Sequence, residues 1–130
     1  MGWLKDLIVG KPKVMPVSVN DDNFHQEVLR SEVPVVLDVW GPGCAPCQRL
    51  EPIMMDLAAR YTGRVKVAEL NAQAAPKTAA KLGVRGTPTV IYYHARGREA
   101  ERTVGFKGSL YHSEVVEQVL LPRTETAAGA

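Results

Sequence analysis

The sequence predicts a single α/β domain, and three observations support this prediction. Patterns typical of helices and of strands alternate along the chain. Residues 35–40 form a nearly continuous apolar run of strand length, as expected for a central strand that is covered on both faces. Cys44 and Cys47 stand where this strand gives way to a helix. With 130 residues, 45% of them hydrophobic, the chain has room for one core and no second domain.

The first half of the chain contains a helix, a strand and a second helix. Asn20 or Asp21 can cap the first helix, because both side chains accept hydrogen bonds from backbone N–H groups. The apolar strand at 35–40 follows. A long helix then begins at Cys44, with apolar residues at 3.6-residue spacing. Pro52 lies inside this helix, where a proline is expected to cause a kink.

The second half contains shorter elements that end in an amphipathic helix. In chain order they are a core strand at 65–70, a short helix at 75–82, a strand at 89–94, a hairpin turn at 96–98, a strand at 99–104 and a helix with one apolar face at 111–120. The resulting order is helix, strand, helix, strand, helix, strand, strand, helix, which is typical of an α/β domain.

The two ends of the chain are assigned to segments outside the domain, which we place at 20–121. Residues 1–19 form an N-terminal extension whose apolar stripe is interrupted by charges and precedes no small-residue cleavage site, so no signal peptide is predicted. We expect this stripe to dock on the protein itself rather than on a membrane. The tail at 122–130 offers nothing to bury and is expected to be flexible. A cytoplasmic, monomeric protein is the resulting expectation.

Charge and ligand types exclude two classes of function. The net charge is only +2, and it arises in the first nineteen residues, so no basic surface for nucleic acid is predicted. Zinc needs four ligands, and the cysteine pair supplies two. His25, His94 and His112 lie on separate segments, and each is interpreted as a surface or hydrogen-bonded histidine rather than a metal ligand.

The cysteine pair carries the chemistry that the sequence predicts. A helix start presents unpaired N–H groups and the positive end of the helix dipole, and both favour a thiolate over a thiol. The thiolate is the nucleophile in disulfide exchange, so Cys44 can attack a disulfide. Cys47 lies one helical turn further on, where it can resolve the resulting mixed disulfide.

Asp38 is the next most informative residue, because it interrupts the apolar strand at 35–40. Burial disfavours the charged form of a carboxyl group and raises its pKa. Such a group can hold a proton near neutral pH and can act as a general acid or base. The alternative is a structural buried acid that is hydrogen-bonded to the backbone.

These features together resemble the thioredoxin family over about residues 17–121. The matching positions are Asp38 six residues before Cys44, Trp40 four before it, Pro52 five after Cys47, Gly-Thr-Pro at 86–88, Gly97 and Gly105. The resemblance implies the thioredoxin fold, in which a central mixed β-sheet is flanked by helices on both faces. It also implies a thiol-disulfide oxidoreductase that reduces protein disulfides, is recharged by a thioredoxin reductase and needs no cofactor beyond its redox-active cysteines.

The resemblance assigns roles to individual residues. Cys44 would attack the substrate disulfide, Cys47 would displace the reduced product, and Asp38 would exchange a proton with Cys47. Pro88 is expected to follow a cis peptide bond and to pack against the cysteines. Supporting roles go to Trp40, Ala45, Pro46 and Glu69, and contacts with substrate to Gly43, Gly86, Thr87, Gly105 and Phe106.

Three positions depart from the family pattern. Gly43 stands where thioredoxins usually carry tryptophan, and Phe106 can restore some apolar contact. Ala45 replaces the usual glycine between the cysteines, which affects the reduction potential. Glu69 replaces a frequent lysine, so Asp38 and Glu69 are predicted to share one proton at neutral pH.

Alternatives remain open at this stage. Glu69 can instead turn to solvent or pair with Lys66 or Lys77. The protein can also be a specialised oxidoreductase with a dedicated partner or an oxidising or isomerising bias. A non-catalytic interaction module that retains the fold is the competing class.

Overall fold

Five strands form one sheet in residues 14–121, the part of the chain that the computed structural model describes. The strands are β1 (Val17–Val19), β2 (Val35–Trp40), β3 (Lys66–Asn71), β4 (Thr89–His94) and β5 (Arg98–Val104). The helices are α1 (His25–Leu29), a single π-helical turn, α2 (Ala45–Arg60), α3 (Pro76–Lys81) and α4 (Ser109–Val115), which continues as a π-helical turn at Val116–Leu120. A short 3-10 turn, Ala95–Gly97, joins β4 to β5.

The sheet is mixed and has β2 at its centre, as predicted. The strand order is β1-β3-β2-β4-β5. β1 and β2 run parallel to β3, whereas β4 is antiparallel to both β2 and β5. Every residue from 35 to 39 is buried. This confirms that the apolar run is a central strand covered on both faces.

Two separate cores lie on the two faces of the sheet, because successive strand residues point in opposite directions. On one face α2 and α4 pack over Val36 and Tyr92. On the other face, α1 and the residues that flank α3 pack over Leu37 and Ile91. Full burial of each such apolar side chain stabilises the fold by roughly 1.5–3 kcal/mol.

Strand β1 was not predicted. Its residues pair in parallel with 68–70 of β3, and they fall inside the segment 1–19 that we assigned to the N-terminal extension. The strand has only three residues, Val-Ser-Val, which is too short for an alternating pattern to stand out. The sheet therefore begins before the domain boundary that we placed at residue 20.

The two candidate cap residues serve two different helices. The Oδ1 of Asn20 accepts hydrogen bonds from the N–H groups of Asp22 (2.8 Å) and Asn23 (3.0 Å), at the turn that leads into α1. Asp21 reaches α3 instead, where its Oδ1 accepts from the backbone N–H (2.8 Å) and the hydroxyl (2.7 Å) of Thr78. Asp21 thereby fastens the start of α3 to the segment before α1.

Gly97 is required by a close approach between the β4–β5 turn and α1. Its φ is +84°, and a Cβ atom at this position would lie 2.7 Å from the Cα of Leu29. Only glycine combines this backbone conformation with the absence of a side chain.

The apolar stripe at 3–9 and the tail at 122–130 lie outside the described residues. Between residues 14 and 121, no helix combines the length and the apolar character that a membrane span requires.

Candidate active site

The two cysteines lie at the junction of β2 and α2. Cys44 is the N-cap of α2 and has an extended backbone (φ −101°, ψ 104°), so that Ala45 and Pro46 form the first turn of the helix. The N–H of Cys47 donates a hydrogen bond to the Sγ of Cys44 over 3.2 Å. The two residues are joined by a disulfide bond, with their Cα atoms 5.2 Å apart. The sulfur that is predicted to react thus receives an N–H bond at the positive end of a helix dipole.

The two sulfur-bearing residues differ in exposure. Cys44 is partly accessible, whereas Cys47 is 5% exposed. A substrate disulfide can therefore reach Cys44 first, and Cys47 lies behind it. This arrangement suits an attacking and a resolving cysteine.

A loop with a cis peptide bond faces the exposed cysteine. The Thr87–Pro88 bond is cis, as predicted, and Pro88 is buried. The carbonyl oxygen of Thr87 lies 3.6 Å from the Sγ of Cys44. Behind the loop, the N–H of Gly105 donates to the carbonyl of Pro88 over 2.8 Å. Of the residues predicted as substrate contacts, Thr87 therefore lies beside Cys44, Gly86 precedes it in the same loop, and Gly105 is hydrogen-bonded to this loop at Pro88.

A cavity of about 200 Å³ opens on the inner side of the cysteine pair. It is lined by Asp38, Trp40, Gly41, Pro42, Gly43, Cys47, Gln48, Glu51 and Glu69. Asp38 is 5% exposed, and its Oδ1 finds no hydrogen-bond partner within residues 14–121. Asp38 and Cys47 thus border one polar space that is large enough for water.

Like charges surround Asp38. Burial, followed by repulsion from Glu69 and Glu51, raises the pKa of Asp38 to about 7. Glu69 is the partner of Asp38 in the β2–β3 register, and burial followed by repulsion from Glu51 raises its pKa. Lys66 is committed elsewhere, since its Nζ lies 3.0 Å from Glu27 Oε1. The predicted approach of the two acids is therefore present, and the alternative pairing of Glu69 with Lys66 is not.

The outer surface of the site contains Gly43 and Phe106. Gly43 is exposed and has a φ of +70°, a conformation that disfavours a bulky residue at this position. Phe106 is 37% exposed, and the guanidinium of Arg49 lies 4.8 Å from its ring centroid. The cation–π contact holds the ring against α2, two residues beyond Cys47.

Comparison with known proteins identifies the family. The sequence model of the family described as Thioredoxin matches residues 15–117. This chain belongs to the thioredoxin family. It is 42% identical over 87 residues to a thioredoxin of Thiocapsa roseopersicina, covering 67% of this chain and 93% of that protein. It is 35% identical over 102 residues to thioredoxin 1 of Nostoc sp., covering 78% of this chain and 94% of the relative.

A chloroplast relative is matched over a smaller part of its length. The chain is 37% identical over 102 residues to the M-type chloroplastic thioredoxin of Pisum sativum. The match covers 78% of this chain but 59% of the pea protein. Family membership, the mixed sheet and the bonded cysteine pair confirm the predicted fold and the predicted thiol-disulfide oxidoreductase activity.

Sequence reasoning missed four members of the cavity wall, which are Gly41, Pro42, Gln48 and Glu51. Glu51 follows Cys47 by four residues on α2, and i,i+4 residues lie on the same helix face. This spacing was the available signal. It could place Glu51 near the buried cysteine, but not opposite Glu69, since that contact depends on how α2 packs against β3.

The acidic cavity is not a metal site of the usual kind. Among residues 14–121, no group of three or more His, Cys, Asp or Glu side chains is arranged to hold a metal ion.

Proposed function

We propose that this protein reduces disulfide bonds of other proteins in the cytoplasm by cycling between a dithiol and the Cys44–Cys47 disulfide. The observation that carries the proposal is the placement of the pair: Cys44 is accessible at the start of α2, and Cys47 is buried one turn behind it. The cycle needs no further cofactor, because the two sulfurs hold both electrons. A thioredoxin reductase would return them, and the protein would act as a monomer.

In the first step, the Cys44 thiolate attacks one sulfur of the substrate disulfide. A mixed disulfide forms between Cys44 and the substrate, and the other substrate sulfur leaves as a thiolate. The Cys47 N–H, which bonds the Cys44 Sγ over 3.2 Å, supports the anionic form of that sulfur. The helix dipole acts in the same direction.

The loop beside Cys44 supports binding of an extended peptide segment. The Thr87 carbonyl lies 3.6 Å from the Cys44 Sγ, and Gly86 is exposed next to it. Backbone atoms at this point can pair with a substrate strand without reading its side chains. Phe106 follows Gly105, which is bonded to the loop at Pro88, and its exposed ring supplies an apolar contact close to α2. Such a surface suits several different protein disulfides.

In the second step, Cys47 attacks the Cys44 sulfur. Asp38 takes the proton of the Cys47 thiol, and the new thiolate forms the Cys44–Cys47 bond while the bond from Cys44 to the substrate breaks. The substrate leaves as a thiolate. The pKa of Asp38, raised by burial and by the neighbouring acids to about 7, suits a general base near neutral pH.

Single substitutions of the two cysteines test this function. We expect Cys44→Ser to abolish catalysed reduction of a protein disulfide, measured as turnover with a chemical dithiol as the electron source. Cys47→Ser should also lose turnover, but it should accumulate a mixed disulfide at Cys44 that mass spectrometry detects. Turnover by Cys44→Ser at the wild-type rate would refute the proposal and favour a non-catalytic module.

The reduction potential shows whether the protein acts as a reductant or as an oxidant of its substrates. Equilibration with a series of dithiothreitol buffers gives the reduction potential of the Cys44–Cys47 pair. A potential near the thioredoxin value of about −270 mV supports a reductant. A value near the oxidising end of the scale, about −120 mV, would instead favour the specialised oxidoreductase.

A further inference from the structure

Glu51 is an acidic member of the cavity wall to which the cycle above gives no role. It lies on α2, four residues after Cys47 and on the same side of the helix. The cavity that it lines also contains Asp38 from β2 and Glu69 from β3. Three acidic residues from three different elements thus line one cavity beside the resolving cysteine, with Asp38 buried, Glu69 partly buried and Glu51 exposed.

The surroundings of Asp38 contain no compensating cation among the described residues. β3 presents Glu69, and α2 presents Glu51 and the Cys47 sulfur. β4 presents Val90, which is opposite Asp38 in the sheet register. The loop that follows β2 contributes Trp40, Gly41, Pro42 and Gly43, none of which carries a charge.

Two basic residues on the same elements, Lys66 of β3 and Arg49 of α2, contact other residues instead. Lys66 Nζ bonds Glu27, and the Arg49 guanidinium stacks on Phe106. Repulsion inside the cluster is therefore relieved only by proton uptake or by water in the cavity. Asp38 is the most buried of the three acids, so it is the group on which the proton is best retained.

We propose that Glu51 is a positioning residue for the resolving step: its charge, together with that of Glu69, keeps the Asp38 carboxylate basic enough to take the proton of Cys47. This role rests on the proposed function, in which Cys47 must lose a proton before it attacks. Glu51 acts both directly and through Glu69, because its charge bears on each of the other two acids.

Each proton and each bond in this step is accounted for. The Sγ–H bond of Cys47 breaks, its proton passes to an Asp38 oxygen, and the thiolate attacks the Cys44 sulfur of the mixed disulfide. The substrate leaves as a thiolate, and Asp38 later returns its proton to that thiolate or to water. Without Glu51, Asp38 would be a weaker base, and ionisation would begin at lower pH.

Carboxyl-carbon NMR of the reduced protein measures the effect of Glu51 on Asp38. We expect Glu51→Gln to lower the titration midpoint of Asp38 by roughly half a pH unit, and Glu69→Gln to lower it further, since removing a like charge favours ionisation. Glu114→Gln is the matched control, because Glu114 is exposed on α4 and does not line the cavity. It should leave the midpoint unchanged.

Single-turnover release of a chromogenic aryl thiol from Cys44 measures the resolving step itself. The pH midpoint of the release rate should move downward in Glu51→Gln by the same amount as the Asp38 midpoint. In an Asp38→Asn background, Glu51→Gln should move the kinetic midpoint much less. A merely structural role for Glu51 would not produce this dependence on Asp38.

The two measurements separate the possible failures. An Asp38 midpoint that is equal in wild type and Glu51→Gln would overturn the role of Glu51. If Glu51→Gln shifts the Asp38 midpoint but leaves the pH midpoint of thiol release unchanged, the role of Glu51 would also be overturned. Absence of thiol release by the wild-type protein at any pH would overturn the proposed function as well, even where Asp38 still titrates as described.

Discussion

Two buried polar centres on the same face of the sheet have opposite properties. Asp38 borders a polar cavity, and its neighbours Glu69 and Glu51 carry the same charge. His112 of α4 is fully enclosed, and its Nδ1 is hydrogen-bonded to the hydroxyl of Tyr92 on β4. The first centre borders a space large enough for water, whereas the second is enclosed and is hydrogen-bonded through one nitrogen to a neutral hydroxyl. Burial alone therefore does not distinguish a reactive acid from a structural residue; access and neighbouring charge do.

The two centres also oppose each other as the pH changes. Burial and neighbouring acids raise the pKa of Asp38 from 3.8 to about 7, so its favourable protonated form is lost as the pH rises through this range. Burial lowers the pKa of His112 from 6.5 to about 4, so its favourable neutral form is lost as the pH falls through that range. Between pH 4 and 7 the two contributions to unfolding free energy have opposite slopes and partly cancel.

Removal of the Asp38 charge should produce the largest effect. Asp38→Asn should raise the unfolding free energy at pH 8 by up to roughly 4 kcal/mol, because the wild-type protein must bury an ionised carboxylate there. At pH 4 the gain should be small, since Asp38 is then protonated. Urea unfolding of the oxidised protein at both pH values checks this.

The control for this experiment is Asp22→Asn, which changes an exposed acid before α1. It should shift the unfolding free energy by less than about 0.5 kcal/mol at either pH. A gain for Asp38→Asn that is equal at pH 4 and pH 8 would show that ionisation of Asp38 is not its cause.

Replacement of His112 by a residue that does not titrate should reveal how the Asp38 contribution to unfolding free energy depends on pH. In His112→Gln, unfolding free energy should fall between pH 4 and 7 more steeply than in wild type, by roughly 3 kcal/mol over the interval, because only the Asp38 contribution remains. The glutamine keeps a polar group near Tyr92, so the slope rather than the absolute stability is the quantity to compare. Parallel curves for variant and wild type would contradict the assignment of His112 as a buried neutral histidine.

The sequence predicted the parts of this comparison that depend on local patterns. Cys44 at a helix start, Asp38 inside an apolar strand and Glu69 opposite it follow from spacing and from the family resemblance, which also supplied the cis bond before Pro88. His112 was predicted as a surface or hydrogen-bonded histidine, and the bonded alternative is correct.

The parts that were missed depend on tertiary contacts. Tyr92 and His112 are twenty positions apart and meet only because α4 returns across the sheet. Glu51 comes near Glu69 through the packing of α2 on β3, and strand β1 is too short to be recognised before its partner is known. Sequence periodicity specifies which face of an element is buried, but not which residue of a distant element lies opposite.

Two adjacent tyrosines on β4 test whether the hydrogen bond to His112 contributes to stability, and the expected effect is the smallest of the three. Tyr92 and Tyr93 are both buried and point to opposite faces; the Tyr92 hydroxyl bonds His112, whereas the Tyr93 hydroxyl has no hydrogen-bond partner within residues 14–121. Tyr92→Phe should therefore lower the unfolding free energy by about 1–2 kcal/mol, because a buried histidine nitrogen loses its partner. Tyr93→Phe should be neutral or slightly stabilising, since it removes a buried polar atom that is not satisfied. Urea unfolding at pH 7 measures both changes. Equal changes in the two variants would show that the hydrogen bond between Tyr92 and His112 makes no measurable contribution to stability.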